Sequence, residues 1–218
     1  RQRQMCIRDS CFTPEQCVYA ISVSHPDKVY RDRTVDFFNQ HIEAAVQLDC
    51  DHMVVSTGFA YLDVDAEDAF GWCAEAMGRI ARKAEQEGVT LAVEPFTKYT
   101  THICNEASQL RRLLRTVNSP RLTGLADTDV IATTAVDTFS TFLDVIGPEN
   151  LGHVHFVDGN PGGHLVPGDG VLDLDGALEK LKAIHYTGAL GLEVLDRRYV
   201  FAPEAAMRQA MDWYKERI

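Results

Sequence analysis

Five short apolar runs, at residues 52–56, 89–94, 122–127, 151–158 and 188–195, each precede a stretch whose apolar side chains recur at helical spacing. Parallel strands are joined by crossovers of a dozen or more residues, usually helices, and sheets covered on both faces have strands that read as nearly continuous apolar segments. The repeat of about 30 to 40 residues therefore predicts strand–helix units of a parallel α/β fold. The helix predicted over 65–86 shows the pattern best. Phe70, Cys73, Met77, Ile80, Ala81 and Ala84 form one stripe, Asp65 can cap its start, and Gly88 ends it. Further helices are expected at 32–50, from a cap at Asn105 to just before Pro120, at 136–146, from Leu174 or Asp175 to about 184, and from Pro203 to 218. Two folds satisfy this alternation, a doubly wound open sheet and a (β/α)8 barrel. No Gly-x-Gly-x-x-Gly turn follows any run, which removes the main support for a dinucleotide-binding sheet.

The ends of the runs favour the barrel. Glu94 ends the second, Asp127 ends the third, His155 comes late in the fourth and Glu193 late in the fifth. In a parallel barrel these four side chains meet at one mouth, the C-terminal face where barrel enzymes place their chemistry. Within LGHVHFVD, alternation puts His153 and His155 on one face and Val154 and Phe156 on the other. A pair of hydrogen-bonded core histidines is the plain reading of such an H-x-H, since a buried imidazole needs a partner. Three carboxylates and an imidazole, however, carry a formal charge of −3 and repel one another unless protons or a cation intervene. The expected solution is a divalent cation with hard ligands, Mn²⁺ first and then Mg²⁺, with Co²⁺ or Zn²⁺ admissible.

Composition narrows the partners. A formal net charge of −11 argues against nucleic acid, whose phosphates call for a basic face. No apolar run approaches the roughly 20 residues that cross a bilayer. Six scattered cysteines without a C-x-x-C pair read as reduced thiols of a cytoplasmic protein, Cys50 and Cys73 being packed in the core.

EPFTKYTTHICN after the second run, LADT after the third, and HVHFVD with the later HLVPGDG resemble the xylose isomerase-like TIM barrel superfamily. Within it they are most similar to the sugar 3-epimerases, the fructoselysine and D-tagatose (psicose) 3-epimerase group; GLEVLD and FTPEQ fit the same group, and the resemblance covers residues 12–218. It implies a (β/α)8 barrel with one divalent metal held by Glu94, Asp127, His155 and Glu193, the two glutamates also moving the proton. The implied activity is that of an isomerase, epimerising carbon 3 of a ketose or ketose derivative through an enediolate. A small-molecule sugar would be the partner, and the full-length protein could form a homo-oligomer. Where that group usually has a further glutamate, Thr100 stands here; where the tagatose enzymes often have a histidine after the aspartate, Val130 stands; and their arginine after the H-x-H is replaced by a loop reading DGNPGGH. Substrate contacts are therefore expected to differ, with His164, His153 and Glu15 the remaining candidates. A solvated loop histidine and a helix-start carboxylate are the plain alternatives for His164 and Glu15.

Other readings stay open at this point. A hydroxypyruvate-type isomerase or inosose-type dehydratase would use the same superfamily site. An endonuclease IV-like enzyme fits poorly, because its three-zinc cluster needs more strand-end histidines and the charge opposes it. A non-catalytic sugar-binding barrel would be betrayed by a missing ligand, and none is missing. The first ten residues, RQRQMCIRDS, are polar and basic without periodicity and read as a non-native leader, leaving the barrel to 11–218. FTPEQ should follow the third strand of a complete barrel of about 250 residues, so the first two βα units are expected to be missing. The expected sheet is an open arc with an unpaired first edge.

Overall fold

The computed structural model describes residues 21–59, 61 and 63–217. Glu15, the 1–10 leader and Cys6, Cys11 and Cys17 lie outside them. Five parallel strands, β1 (His52–Ser56), β2 (Thr90–Glu94), β3 (Leu122–Asp127), β4 (Leu151–His155) and β5 (Leu190–Gly191), lie side by side in chain order. Helix α1 (Lys28–Gln47) precedes the first strand; α2 (Ala66–Glu87), α3 (Ala107–Val117), α4 (Thr128–Thr134), α5 (Phe139–Ile146), α6 (Leu174–Ala183) and α7 (Pro203–Lys215) fill the crossovers and the end. Among the described residues this is an open five-stranded arc of a (β/α) barrel, as the alternation of runs predicts.

The main core lies between the sheet and its helices, where Met53, Val55, Leu91, Val93, Val154 and Phe156 meet the apolar faces of α1 to α6. On the inner face Val54, Ala92 and Leu125 form a separate small cluster. The parity of each strand thus sends alternate residues to opposite sides. Helix ends follow local chemistry. Asp27 accepts from the Val29 N–H at 2.8 Å and starts α1 ahead of the expected 32, and Gly88, at φ +76°, closes α2 in the left-handed conformation that glycine adopts without strain. Gly124 leaves room for α3: a Cβ there would stand 2.8 Å from Leu110 Cδ2.

Several sequence boundaries shift. The cap expected at Asn105 falls on Glu106, because the Gln109 side chain accepts from both the Asn105 and Glu106 N–H groups, at 2.9 and 3.2 Å. The single helix expected at 136–146 begins only at Phe139, and a separate α4 directly follows β3. Ala135, at φ +56°, breaks the path between them, and Thr138 caps the second. The run 188–195 holds only a two-residue strand: Val154 pairs with Leu190 and His155 with Gly191, whereas Leu195 donates its N–H to the His164 carbonyl instead. Glu193 therefore sits just past a strand rather than late in one. No helix of the described residues is long and apolar enough to cross a membrane.

Leu110 is fully buried against the sheet, so Leu110→Ala should cost about 2 to 5 kcal/mol in urea unfolding, since the space it leaves cannot close completely.

Candidate metal and acid–base site

The C-terminal ends of the strands deliver four chemistry-bearing side chains to one place. Ser56 of β1 is in register with Glu94 of β2, and Asp127 of β3 with His155 of β4; Glu193 follows β5. Glu94, Asp127, His155 and Glu193 each offer one ligand atom, and these atoms all lie within 4.8 Å of one another. His155 Nδ1 is at their centre, 3.0 Å from Glu94 Oε1, 3.2 Å from Glu193 Oε2 and 3.6 Å from Asp127 Oδ2. Three of the four residues are buried to 2% exposure or less, whereas the Glu193 side chain keeps 22% and faces the open side.

The other candidates divide. His164 joins the cluster, its Nε2 3.4 Å from Asp127 Oδ2 and 3.5 Å from Glu193 Oε2. His153 shares the inner face, its ring 5.3 Å from that of His155, but it is buried beneath the cluster and not among the four.

Two supporting acids escaped the sequence reading. Asp129 is fully buried and bonded to the loop that carries His164. Asp158 accepts four backbone N–H groups, of Gly159, Gly168, Gly170 and Leu172, at 2.9 to 3.1 Å, and so folds the PGDG loop back on β4. For Asp158 the available signal was its place as the last residue of HVHFVD, followed by glycines.

The geometry bears on family. Residues 7–217 match the family described as xylose isomerase-like TIM barrel. The chain belongs to that family. Fructoselysine 3-epimerase of Shigella flexneri is 26% identical over 206 residues, 94% of this chain and 74% of that protein. Among solved structures, the apo 3-keto-D-glucoside 4-epimerase YcjR from E. coli superposes with a TM-score of 0.80 at 19% identity, covering 89% of this chain and 75% of its own. D-Psicose 3-epimerase with D-tagatose, from Clostridium cellulolyticum H10, does so with 0.80 at 18%, covering 91% and 75%. These homologues and structural neighbours of the family member are sugar epimerases, and hence isomerases.

The residues fit a divalent ion. Among the described residues Glu94 Oε2 and Asp127 Oδ2 are buried and make no well-formed hydrogen bond, Asp127 Oδ2 having only the imidazole of His164 at 3.4 Å, and a divalent ion would satisfy both oxygens. Asp127 Oδ1 is already committed, accepting from the Asp129 and Val130 N–H groups at the start of α4, both at 2.8 Å. That leaves Oδ2 to point at the cluster.

Without an ion, protons share the charge. Burial drives Glu94 up to about 7, with Glu193 and Asp127 adding to the rise and His155 opposing it. Burial also works against the Asp127 anion, but the His155 and His164 imidazoles outweigh it and hold this acid below the ordinary carboxylate range. Burial alone would lower His164; Asp127, Asp129 and Glu193 instead raise it to about 10.

Glu94 and His164 both bind their protons more tightly in the folded state, so their contribution to stability is fully present below the unfolded values of 4.5 and 6.5. It is lost as pH rises through about 7 and then about 10. Metal-free protein should therefore unfold at progressively lower urea between pH 5 and 10, and Glu94→Gln should flatten the lower part of that profile. A divalent ion at about 100 times its dissociation constant should restore about 2.7 kcal/mol. Asp127→Asn should weaken ion binding in calorimetry by more than the roughly 10- to 100-fold typical of losing a supporting hydrogen bond.

Proposed function

We propose that this chain is a metal-dependent sugar epimerase that inverts carbon 3 of a ketose or ketose derivative by proton transfer through an enediolate. The observation that carries the reading is the order of the cluster: Glu94 at the end of β2 and Glu193 just past β5 lie on its two flanks, with Asp127 of β3 and His155 of β4 between them. Glu94, Asp127, His155 and Glu193 would hold one divalent ion, Mn²⁺ in this reading, which when bound would polarise the sugar oxygens beside carbon 3 and make its proton more acidic.

The two glutamates do the rest. Glu193, the more exposed, takes the proton from carbon 3 on one face; the electron pair of the broken C–H bond forms the carbon 2–carbon 3 double bond, and the π pair of the carbon 2 carbonyl moves onto its oxygen. Glu94, the acid on the other face, gives up a carboxyl proton to carbon 3, where the new C–H bond forms as the carbon 2 carbonyl is restored. The reverse reaction exchanges the roles. Asp127 is anchored by the α4 amides and moves no proton. Burial of Glu94, Asp127 and His155 keeps water from quenching the enediolate. The buried thiols of Cys73 and Cys104 suit a reducing, cytoplasmic setting.

Fructoselysine and D-tagatose, incubated with the Mn²⁺-loaded protein in deuterated water, should yield product carrying deuterium on carbon 3. Deuterium on carbon 4 would move the reaction along the chain, and product without deuterium would replace proton transfer by a hydride shift. Glu193→Gln should lower turnover by about 100-fold or more at equal metal occupancy, the usual contribution of a positioned base.

A further inference from the structure

We infer that Asp129 is a positioning residue that locks the His164 ring against the acid cluster and turns its Nε2 toward an oxygen of the bound sugar. The inference rests on the epimerase reading above and adds to it a buried carboxylate outside the ligand set. Asp129 is fully buried, and its carboxylate is used entirely on one short stretch of chain. Oδ1 accepts from the Gly162 N–H, and Oδ2 accepts from the His164 N–H at 2.9 Å and faces His164 Nδ1 at 2.9 Å. Backbone and ring of one residue are thus fixed by the same oxygen. With Nδ1 turned to Asp129, Nε2 is left facing Asp127 Oδ2 and Glu193 Oε2, at 3.4 and 3.5 Å. The second nitrogen of an imidazole takes its orientation from the bond the first one makes.

The backbone shows what this placement costs. Gly162, Gly163 and His164 have φ of +100°, +105° and +48° in succession. The first two are glycines and tolerate it, but a histidine held there carries strain of about 1 to 2 kcal/mol, of the kind that persists where the surroundings enforce it. The enforcing group is Asp129. Its Oδ1 also comes so close to Gly159 that a Cβ on that residue would overlap it, so the loop is drawn in onto the carboxylate. Two further links connect the pair to the proposed chemistry. The Asp129 N–H donates to Asp127 Oδ1, and the His164 carbonyl accepts from Leu195 N–H, two residues beyond Glu193. The ring remains reachable, its side chain being 17% exposed at the open side.

A simple loop staple would give the same fold without acting through His164, and a double-mutant cycle separates the two. With fructoselysine and D-tagatose as probes, Asp129→Asn should lower kcat/KM by about 10-fold or more in the wild-type background, within the range for a group that orients an active-site histidine. In a His164→Ala background the same change should cost less than about 2-fold, because no ring is left to orient. Equal losses in both backgrounds would overturn the proposal. Mn²⁺ affinity by calorimetry should be within about 3-fold of wild type in Asp129→Asn, and a larger fall would mean that Asp129 acts on the ligand set instead. Nitrogen-15 spectra of the ring provide a readout independent of turnover, and one that stands even if Asp129→Asn fails to fold. Wild type, with and without Mg²⁺, should show a downfield, slowly exchanging His164 Nδ1 proton, and an unprotonated Nδ1 would sink the idea. If neither sugar is turned over while that signal is present, the epimerase reading fails and the Asp129–His164 pair stands.

Discussion

Parallel pairing is the constraint from which the rest follows. When neighbouring strands run the same way, their C-terminal ends reach one edge together, and whatever each carries there must share a small volume. Here three carboxylates are brought within 4.8 Å of one another and of an imidazole nitrogen. Two like charges about 4 Å apart cost about 4 kcal/mol even at an effective dielectric constant of 20. The protein answers each acid differently. Burial raises Glu94 so that it holds a proton more readily, Asp127 is stabilised by helix amides and imidazoles, and Glu193 stays near water.

The surrounding structure holds these differences in place. Beneath the acids Val54, Ala92 and Leu125 exclude water from below, and the helices seal the other side of the sheet. Above them the chain after β4 is folded on two buried carboxylates as well as on the packing of Leu165 and Val166: Asp158 gathers the N–H groups of the PGDG turn, and Asp129 gathers those of 162 and 164. Two of the glycines in this segment, Gly159 and Gly170, stand where a carboxylate pressed on backbone leaves no space for a side chain. A Cβ on Gly170 would overlap Asp158, as one on Gly159 would overlap Asp129.

Much of this could be read from the sequence, for physical reasons that also mark where reading stops. The strands at 52–56 and 122–127 match their apolar runs because burial on both faces dictates composition. The cap at Asp65 and the stop at Gly88 are local chemistry, written in single residues. The convergence of Glu94, Asp127, His155 and Glu193 followed from topology alone. What could not be read depends on contacts distant in sequence. Helix α4 is one short threonine-rich stretch with no apolar stripe of its own, stabilised by Asp127 at its start. β5 is short because Leu195 bonds to His164 rather than to a strand. Asp129 looks like an ordinary helix-start acid until Gly162 and His164 are brought to it from more than thirty residues away.

The brevity of β5 gives the cluster unequal mechanical footing. Glu94, Asp127 and His155 are set by the hydrogen-bonded ladder, so their mutual positions are settled when the sheet forms. Glu193 stands two residues beyond the last ladder pair, on a segment tied back by the bond from the Leu195 N–H and by Leu192 and Val194, which pack, only partly buried, on Val166, Ala206 and Ala210. Holding it in place draws on the rotational freedom of that segment, at about 1 to 2 kcal/mol per residue fixed. Any ligand that engages Glu193 bears part of this ordering cost, so its observed affinity is lower than its contacts alone would give and its release correspondingly faster. Glu193 is thus the one wall of the site whose final placement a bound ligand has to complete.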